Sequence, residues 1–223
     1  MYTRQQVAAT MDHAVLKPFA PDKDVIEACK MCDANGVCSI CVRPTDVALA
    51  GKMLRGSRTR VGMVVGFPHG ANRPETKALE ARLGIRDGAV ELDMVMNIGK
   101  FLSGDHDFVR KDIEAVVAEA RKHEGIIVKV ILETCWLSTE QIAQACKIAE
   151  AAGADFVKTS TGFGDGPATP QAIDVMIETV GKTMGVKASG GIRSWETAVA
   201  YLDQGCKRLG VASTEAVLDG AKQ

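Results

Sequence analysis

Aromatic residues are scarce in this chain, at 4% of the total with two Trp, two Tyr and six Phe. That excludes the stacking platforms on which single-stranded nucleic acids are bound. A surplus of one charge is also missing: 27 Lys+Arg face 28 Asp+Glu, a formal net charge of -1. No global basic field exists to hold a nucleic acid or an anionic membrane, so any phosphate must be met locally. No stretch approaches the roughly 18 to 20 uncharged apolar residues of a membrane span. The first ten residues carry no apolar signal core. The reading is a soluble, cytoplasmic protein with neither nucleic acid nor membrane as partner.

The chain also lacks a linker, a low-complexity run or a composition break, so residues 1–223 read as a single domain. Its 223 residues are 46% hydrophobic, enough for a sizeable core. Seven cysteines are an odd number for a disulfide framework and point to free thiols in a reducing compartment. Cys29, Cys32, Cys38 and Cys41 form two C-x-x-C pairs, superficially a zinc site. The first pair reads as the end of a helix stopped by Asn35 and Gly36, the second as part of the strand-like VCSICV. Residues three apart on a strand face opposite sides, so no metal is expected and the thiols are read as small packing groups.

What recurs is a short apolar or β-branched run followed by an amphipathic helical stretch. Eight such runs occur: MDHAVL, VCSICV, VGMVVGF, AVELDMVM, IIVKVILE, DFVKTST, GVKASGG and KRLGVAS. Helical stretches are expected at Glu75–Asp87, Phe108–His123, Thr139–Ala152, Pro170–Val180 and Ser194–Gln204, with Gly88, Gly153 and Gly205 as C-terminal stops. Eight β/α units at this spacing predict an α/β fold, a single (β/α)8 TIM barrel. A doubly wound sheet would carry a Gly-rich turn after its first strand, where this chain has Lys17-Pro18-Phe19.

Parallel strands covered by helices should be almost continuously apolar, so charges within them are informative. The period of two sends Leu92, Met94 and Met96 toward the helices and Glu91, Asp93 and Val95 into the barrel. The same parity turns Lys129, Glu133, Lys158 and Lys187 inward, so three lysines and three carboxylates are expected to share one interior. For Lys129 and Glu91 a register-fixing ion pair is an equally good reading. Lys158 and Lys187 lie on consecutive strands, where two ammonium groups in a low dielectric disfavour each other's charge. The neutral amine that results is the nucleophile of Schiff-base chemistry. Asp93 then completes an acid/base set for making and breaking a carbinolamine without a metal.

A phosphate site is expected in the loops after the seventh and eighth strands, Ser189-Gly190-Gly191-Ile192-Arg193 and Gly210-Val211-Ala212-Ser213. Thr161-Gly162-Phe163-Gly164, just past Lys158, adds a third turn at the same end. His13, beside Asp12, points the opposite way and reads as a structural hydrogen-bonding group. His69 and Arg73 either border the cavity or cap the following helix. Trp136 and Trp195 read as packing or interface anchors at the starts of helical segments.

These blocks carry a resemblance nearly end to end. Met11-Asp12-His13 through Leu16-Lys17-Pro18, Ile40-Cys41-Val42, Val65-Gly66-Phe67-Pro68, Glu91-Leu92-Asp93-Met94-Val95, Lys129 to Thr134, Val157 to Gly162 and Val186 to Arg193 together resemble the deoxyribose-phosphate aldolases. The resemblance implies a class I aldolase that reversibly cleaves 2-deoxy-D-ribose 5-phosphate into acetaldehyde and D-glyceraldehyde 3-phosphate. It puts Lys158 at the imine-forming lysine, Lys187 at the second lysine that lowers the nucleophile's pKa, and Asp93 at the acid/base aspartate. It further implies Gly162, Gly190, Gly191, Arg193, Gly210 and Ser213 around the phosphate, Asp12 and Cys41 along the substrate cavity, no cofactor, and a homodimer or homotetramer, and Thr161 joins the substrate-binding residues from the third turn. Two departures stand out. Ala14 replaces a common Thr, and Ala212 precedes Ser213 where two adjacent hydroxyl residues are frequent, so one phosphate hydrogen bond is missing. The competing readings are another imine-forming sugar-phosphate aldolase and a non-catalytic sugar-phosphate-binding barrel.

Overall fold

Eight parallel strands close on themselves in chain order, each paired with the next and the last with the first, in a computed structural model that describes residues 2–221. A short helix α1 (Arg4–Ala8) precedes the repeat β1 (Met11–Val15), α2 (Asp22–Asn35), β2 (Ser39–Val42), α3 (Val47–Met53), β3 (Arg60–Val65), α4 (Pro74–Asp87) and β4 (Glu91–Val95). After β4 come α5 (Ile98–Leu102), α6 (His106–Ala120), β5 (Ile127–Ile131), α7 (Thr139–Ala151), β6 (Phe156–Lys158), α8 (Pro170–Val180), β7 (Gly185–Ser189), α9 (Trp195–Asp203), β8 (Arg208–Val211) and α10 (Thr214–Leu218). The expected barrel and its eight strands are therefore present. Among the described residues, no helix is long and apolar enough to cross a membrane.

Local chemistry sets the helix limits. Ser138 caps α7 through the Gln141 amide while the Gln141 side chain returns to the Ser138 amide. At α8 and α9 the Thr169 and Ser194 side chains accept from the Ala172 and Thr197 amides, with Pro170 as the first residue of α8. Gly36 and Gly88, both left-handed, end α2 and α4. The tight fit of helix to sheet is plainest at Gly84, where a Cβ would come within 1.7 Å of Met63 Sδ.

Two cores result from the strand period. Ile40, Met63, Leu92, Met94, Val128, Val130, Val157, Val186 and Leu209 are buried in the apolar layer between sheet and helices. The alternate positions fill the barrel with charge, because Asp12, Glu91, Asp93, Lys129, Lys158, Lys187 and Arg208 are all 5% exposed or less. Register places Asp93 beside Lys129, and Lys158 beside Lys187, which is itself beside Arg208.

Candidate active site

Lys158 closes the short strand β6, so its side chain enters the barrel just below the β6–α8 loop. Its Nζ lies 2.8 Å from Asp93 Oδ2, the sole carboxylate it reaches among the described residues. Asp93 serves two other lysines: Lys187 Nζ donates to Oδ2 at 2.7 Å and Lys129 Nζ to Oδ1 at 2.8 Å. Lys187 also donates to Asp12 Oδ2. Lys129 also donates to Glu91 Oε2 at 2.5 Å. Burial disfavours all three ammonium groups, and the outcome depends on the carboxylates around each. Lys158 is pushed below the ordinary lysine value by burial and by Lys187, against the pull of Asp93. Lys187 and Lys129, with more than one carboxylate each, are held above it. Burial opposes the charge of Asp93 too, but the three lysines overcome it and hold this carboxyl well below the usual range. One lysine ready to lose its proton thus sits beside a retained cation and an ionised carboxylate.

A cavity of about 580 Å³ opens above this cluster at the C-terminal end of the barrel. Lys158, Lys187, Asp12 and Cys41 form part of its floor, and Thr161, Gly162, Gly190, Gly191, Arg193, Gly210 and Ser213 line its wall. Every residue nominated for substrate thus borders one cavity except Asp93, which lies beneath it. The loops are stitched together before any ligand arrives. Ser160 N donates to Ser189 Oγ at 3.2 Å, and Thr159 Oγ1 donates to the Ser189 carbonyl at 3.0 Å. Gly190 and Gly191 adopt φ of 85° and 77°, and a Cβ on Gly191 would meet Pro167 at 2.6 Å. Only glycine gives this backbone both its turn and its close approach.

Several placements differ from expectation. Glu133 is not in the interior: it lies past the end of β5 with φ 56°, and its carboxylate accepts from the Thr161 amide at 3.2 Å and from the Thr161 hydroxyl. The strand parity fails there because the chain has already left the sheet. The third interior carboxylate is Asp12. Arg208, absent from the candidates, donates to Asp12 Oδ1 at 2.8 Å through Nε and to Glu91 Oε2 at 2.6 Å. The parity that turns Leu209 and Val211 outward would have found it. Of the two C-x-x-C pairs, Cys29 and Cys32 lie on α2 and Cys41 lies inside the barrel, where burial pushes its thiol up to about 11. Cys38 precedes β2 and receives Arg60 Nη2 at 3.0 Å. His13 Nδ1 pairs with Thr214 Oγ1 at 2.9 Å, the structural role expected of it. His69 is exposed and Arg73 precedes α4 without a side-chain cap, so neither alternative for that pair is realised by Arg73. Trp136 ends a single 3-10 turn with Nε1 on Asp165, whereas Trp195 opens α9 and packs on the core.

The profile of the DeoC/LacD family aldolases matches residues 6–213. The chain belongs to this aldolase family. Curated relatives include the deoxyribose-phosphate aldolase of Clostridium perfringens, 48% identical over 217 residues with 97% of this chain and 96% of that protein covered. The enzyme of the same name from Thermococcus gammatolerans is 46% identical over 218 residues, covering 97% and 96%. Among solved structures, the tetrameric deoxyribose phosphate aldolase of Aeropyrum pernix superposes with a TM-score of 0.91 at 30% identity, covering 97% of this chain and 91% of that one. As an aldolase of this family, the chain carries its buried lysine cluster where a (β/α)8 barrel carries its chemistry, at the C-terminal face.

Proposed function

We propose that this chain is a class I deoxyribose-phosphate aldolase, reversibly cleaving 2-deoxy-D-ribose 5-phosphate to D-glyceraldehyde 3-phosphate and acetaldehyde. The observation that carries the reading is Lys158, a buried lysine with its charge disfavoured, 2.8 Å from Asp93 and at the floor of a cavity. Each step is carried by the chain's own side chains. The neutral Lys158 amine adds to the C1 aldehyde of the open-chain sugar, and the carbinolamine loses water to give a protonated imine. Removal of the C3 hydroxyl proton breaks the C2–C3 bond, the electron pair passing into the enamine while glyceraldehyde 3-phosphate leaves. A proton returned to C2 and hydrolysis of the imine release acetaldehyde and restore Lys158. Asp93, with Lys187 on the same oxygen, is the relay for these protons.

The phosphate is met by Gly162, Gly190, Gly191, Gly210, Ser213 and Arg193, with Thr161 buttressing the first loop through Glu133. The five-residue α10 adds little dipole, so backbone amides and Arg193 carry this subsite. Residues 1–223 act as one catalytic domain in the cytoplasm, as a homodimer or homotetramer.

Reduction with borohydride in the presence of acetaldehyde, followed by intact mass and peptide mapping, tests the covalent step. One ethyl group on Lys158 is the expected result. An ethyl group on Lys187 instead would exchange the lysine roles, and no adduct in a folded sample that binds deoxyribose 5-phosphate would leave a non-catalytic binder. Cleavage rates with deoxyribose 5-phosphate and with ketose phosphates fix the substrate.

A further inference from the structure

The barrel interior holds more positive than negative groups. Among the described residues, Lys129, Lys158, Lys187 and Arg208 face only Asp12, Glu91 and Asp93 there, and none of the seven is more than 5% exposed. Arg60 touches Glu91 Oε1 at 3.1 Å from below, but its side chain is 43% exposed and its charge is solvated. From the elements around Lys158, β4 contributes Asp93 and Glu91, β5 Lys129, β7 Lys187, β8 Arg208, β1 Asp12 and β2 the Cys41 thiol. Four cations against three carboxylates in a low dielectric leave one charge uncompensated, and losing a proton is the simplest relief. Arg208 does not supply that proton, since a guanidinium stays charged. It takes Asp12 Oδ1 and Glu91 Oε2, and Ser39 Oγ lies 3.2 Å from its Nη2. Lys187 binds Asp12 and Asp93, and Lys129 binds Asp12, Asp93 and the Glu91 oxygen it shares with Arg208. Lys158 is left with one oxygen, already shared with Lys187.

We propose that Arg208 is a positioning residue for the aldolase reaction, its fixed charge occupying two of the three interior carboxylates so that Lys158 is the amine left to act as nucleophile. It touches neither the cavity wall nor Lys158, and it acts through Asp12 and Glu91. The inference rests on the reading of Lys158 as the imine-forming lysine, and it makes charge count, rather than the neighbouring Lys187 alone, the determinant.

The test follows the pH dependence of adduct formation. Acetaldehyde and cyanoborohydride are applied to the full chain across about pH 5 to 9, and the ethyl group on Lys158 is quantified by peptide mapping. Arg208→Gln leaves three cations on three carboxylates, and the midpoint of labelling should move up by about one unit, with roughly tenfold less adduct on the acid side. Glu91→Gln keeps the side chain's shape, removes a carboxylate and should move the midpoint down. The double variant restores a surplus of one cation and should return close to the unaltered chain. A merely structural Arg208 would lower labelling at every pH without moving the midpoint. Shifts absent, or in the same direction for both single variants, overturn the inference, and if Arg208→Gln does not fold, an unmoved midpoint in Glu91→Gln does so alone. No Lys158 adduct in the unaltered chain at any pH defeats the proposed function itself, a distinct outcome that removes the inference with it.

Discussion

His13 shows how one residue couples the site to stability. It alternates with the inward-facing Asp12 on β1, so its imidazole leaves the barrel and meets Thr214 at the start of α10. Burial, without a carboxylate to offset it, depresses the ring's pKa to about 4 from 6.5. The denatured chain therefore takes up a proton between these values while the folded chain does not. Stability is fully present above pH 6.5 and is lost as pH falls toward about 4, by up to about 3 kcal/mol from this group. Denaturant titrations at pH 7 and pH 4.5 should show that loss, and His13→Asn should flatten it. An equal slope in the variant would assign the acid sensitivity elsewhere. The residue scale also holds the catalytic prediction: Lys158→Arg keeps a buried cation but has no amine able to lose its proton, so turnover should fall by several orders of magnitude with little change in fold by circular dichroism.

At the scale of elements, the strand carrying Asp93 is fixed from outside the barrel. Lys77 of α4 is fully buried, and its Nζ donates to the Val95 carbonyl at 2.8 Å and to Asp112 Oδ2 of α6 at 2.5 Å. One ammonium thus ties α4, α6 and the end of β4 together. Burial disfavours both charges, lowering Lys77 and raising Asp112 despite their mutual attraction. Removing one partner strands the other, so Asp112→Ala should cost about 3–5 kcal/mol in denaturant unfolding. Lys77→Met with Asp112→Leu should cost far less, because neither charge then remains to be desolvated. This pair was not legible in the sequence, where Lys77 and Asp112 look like ordinary polar positions on amphipathic helices. The strands were legible because a period of two with a charge on the inward face has no other reading, and Asp93, Lys129, Lys158 and Lys187 all follow it. Glu133 escaped because parity holds only while the chain stays in the sheet. Arg208 obeys the same parity at the start of β8, where the flanking Lys207 hides the alternation of charge and apolar residue.

Across the whole molecule, the barrel separates what holds the fold from what meets the substrate. The apolar layer lies between sheet and helices, while Lys158, Lys187, Asp12 and the glycine-rich loops face the cavity at the C-terminal end. Arg193 lies on that upper rim, exposed, and lines the cavity without an ion pair among the described residues. Its removal leaves no buried group unpaired, so Arg193→Ala should change stability by no more than about 0.5 kcal/mol. A charge-assisted contact to phosphate is worth about 1.5–3 kcal/mol, which corresponds to roughly a tenfold to hundredfold rise in KM for deoxyribose 5-phosphate. The Lys158 adduct formed from acetaldehyde alone should be unaffected, because that donor carries no phosphate. Steady-state kinetics with the phosphorylated and unphosphorylated sugars, a thermal melt and acetaldehyde labelling of Lys158 check the three outcomes in turn. An Arg193 variant that loses affinity equally for both sugars would place the phosphate elsewhere on the rim.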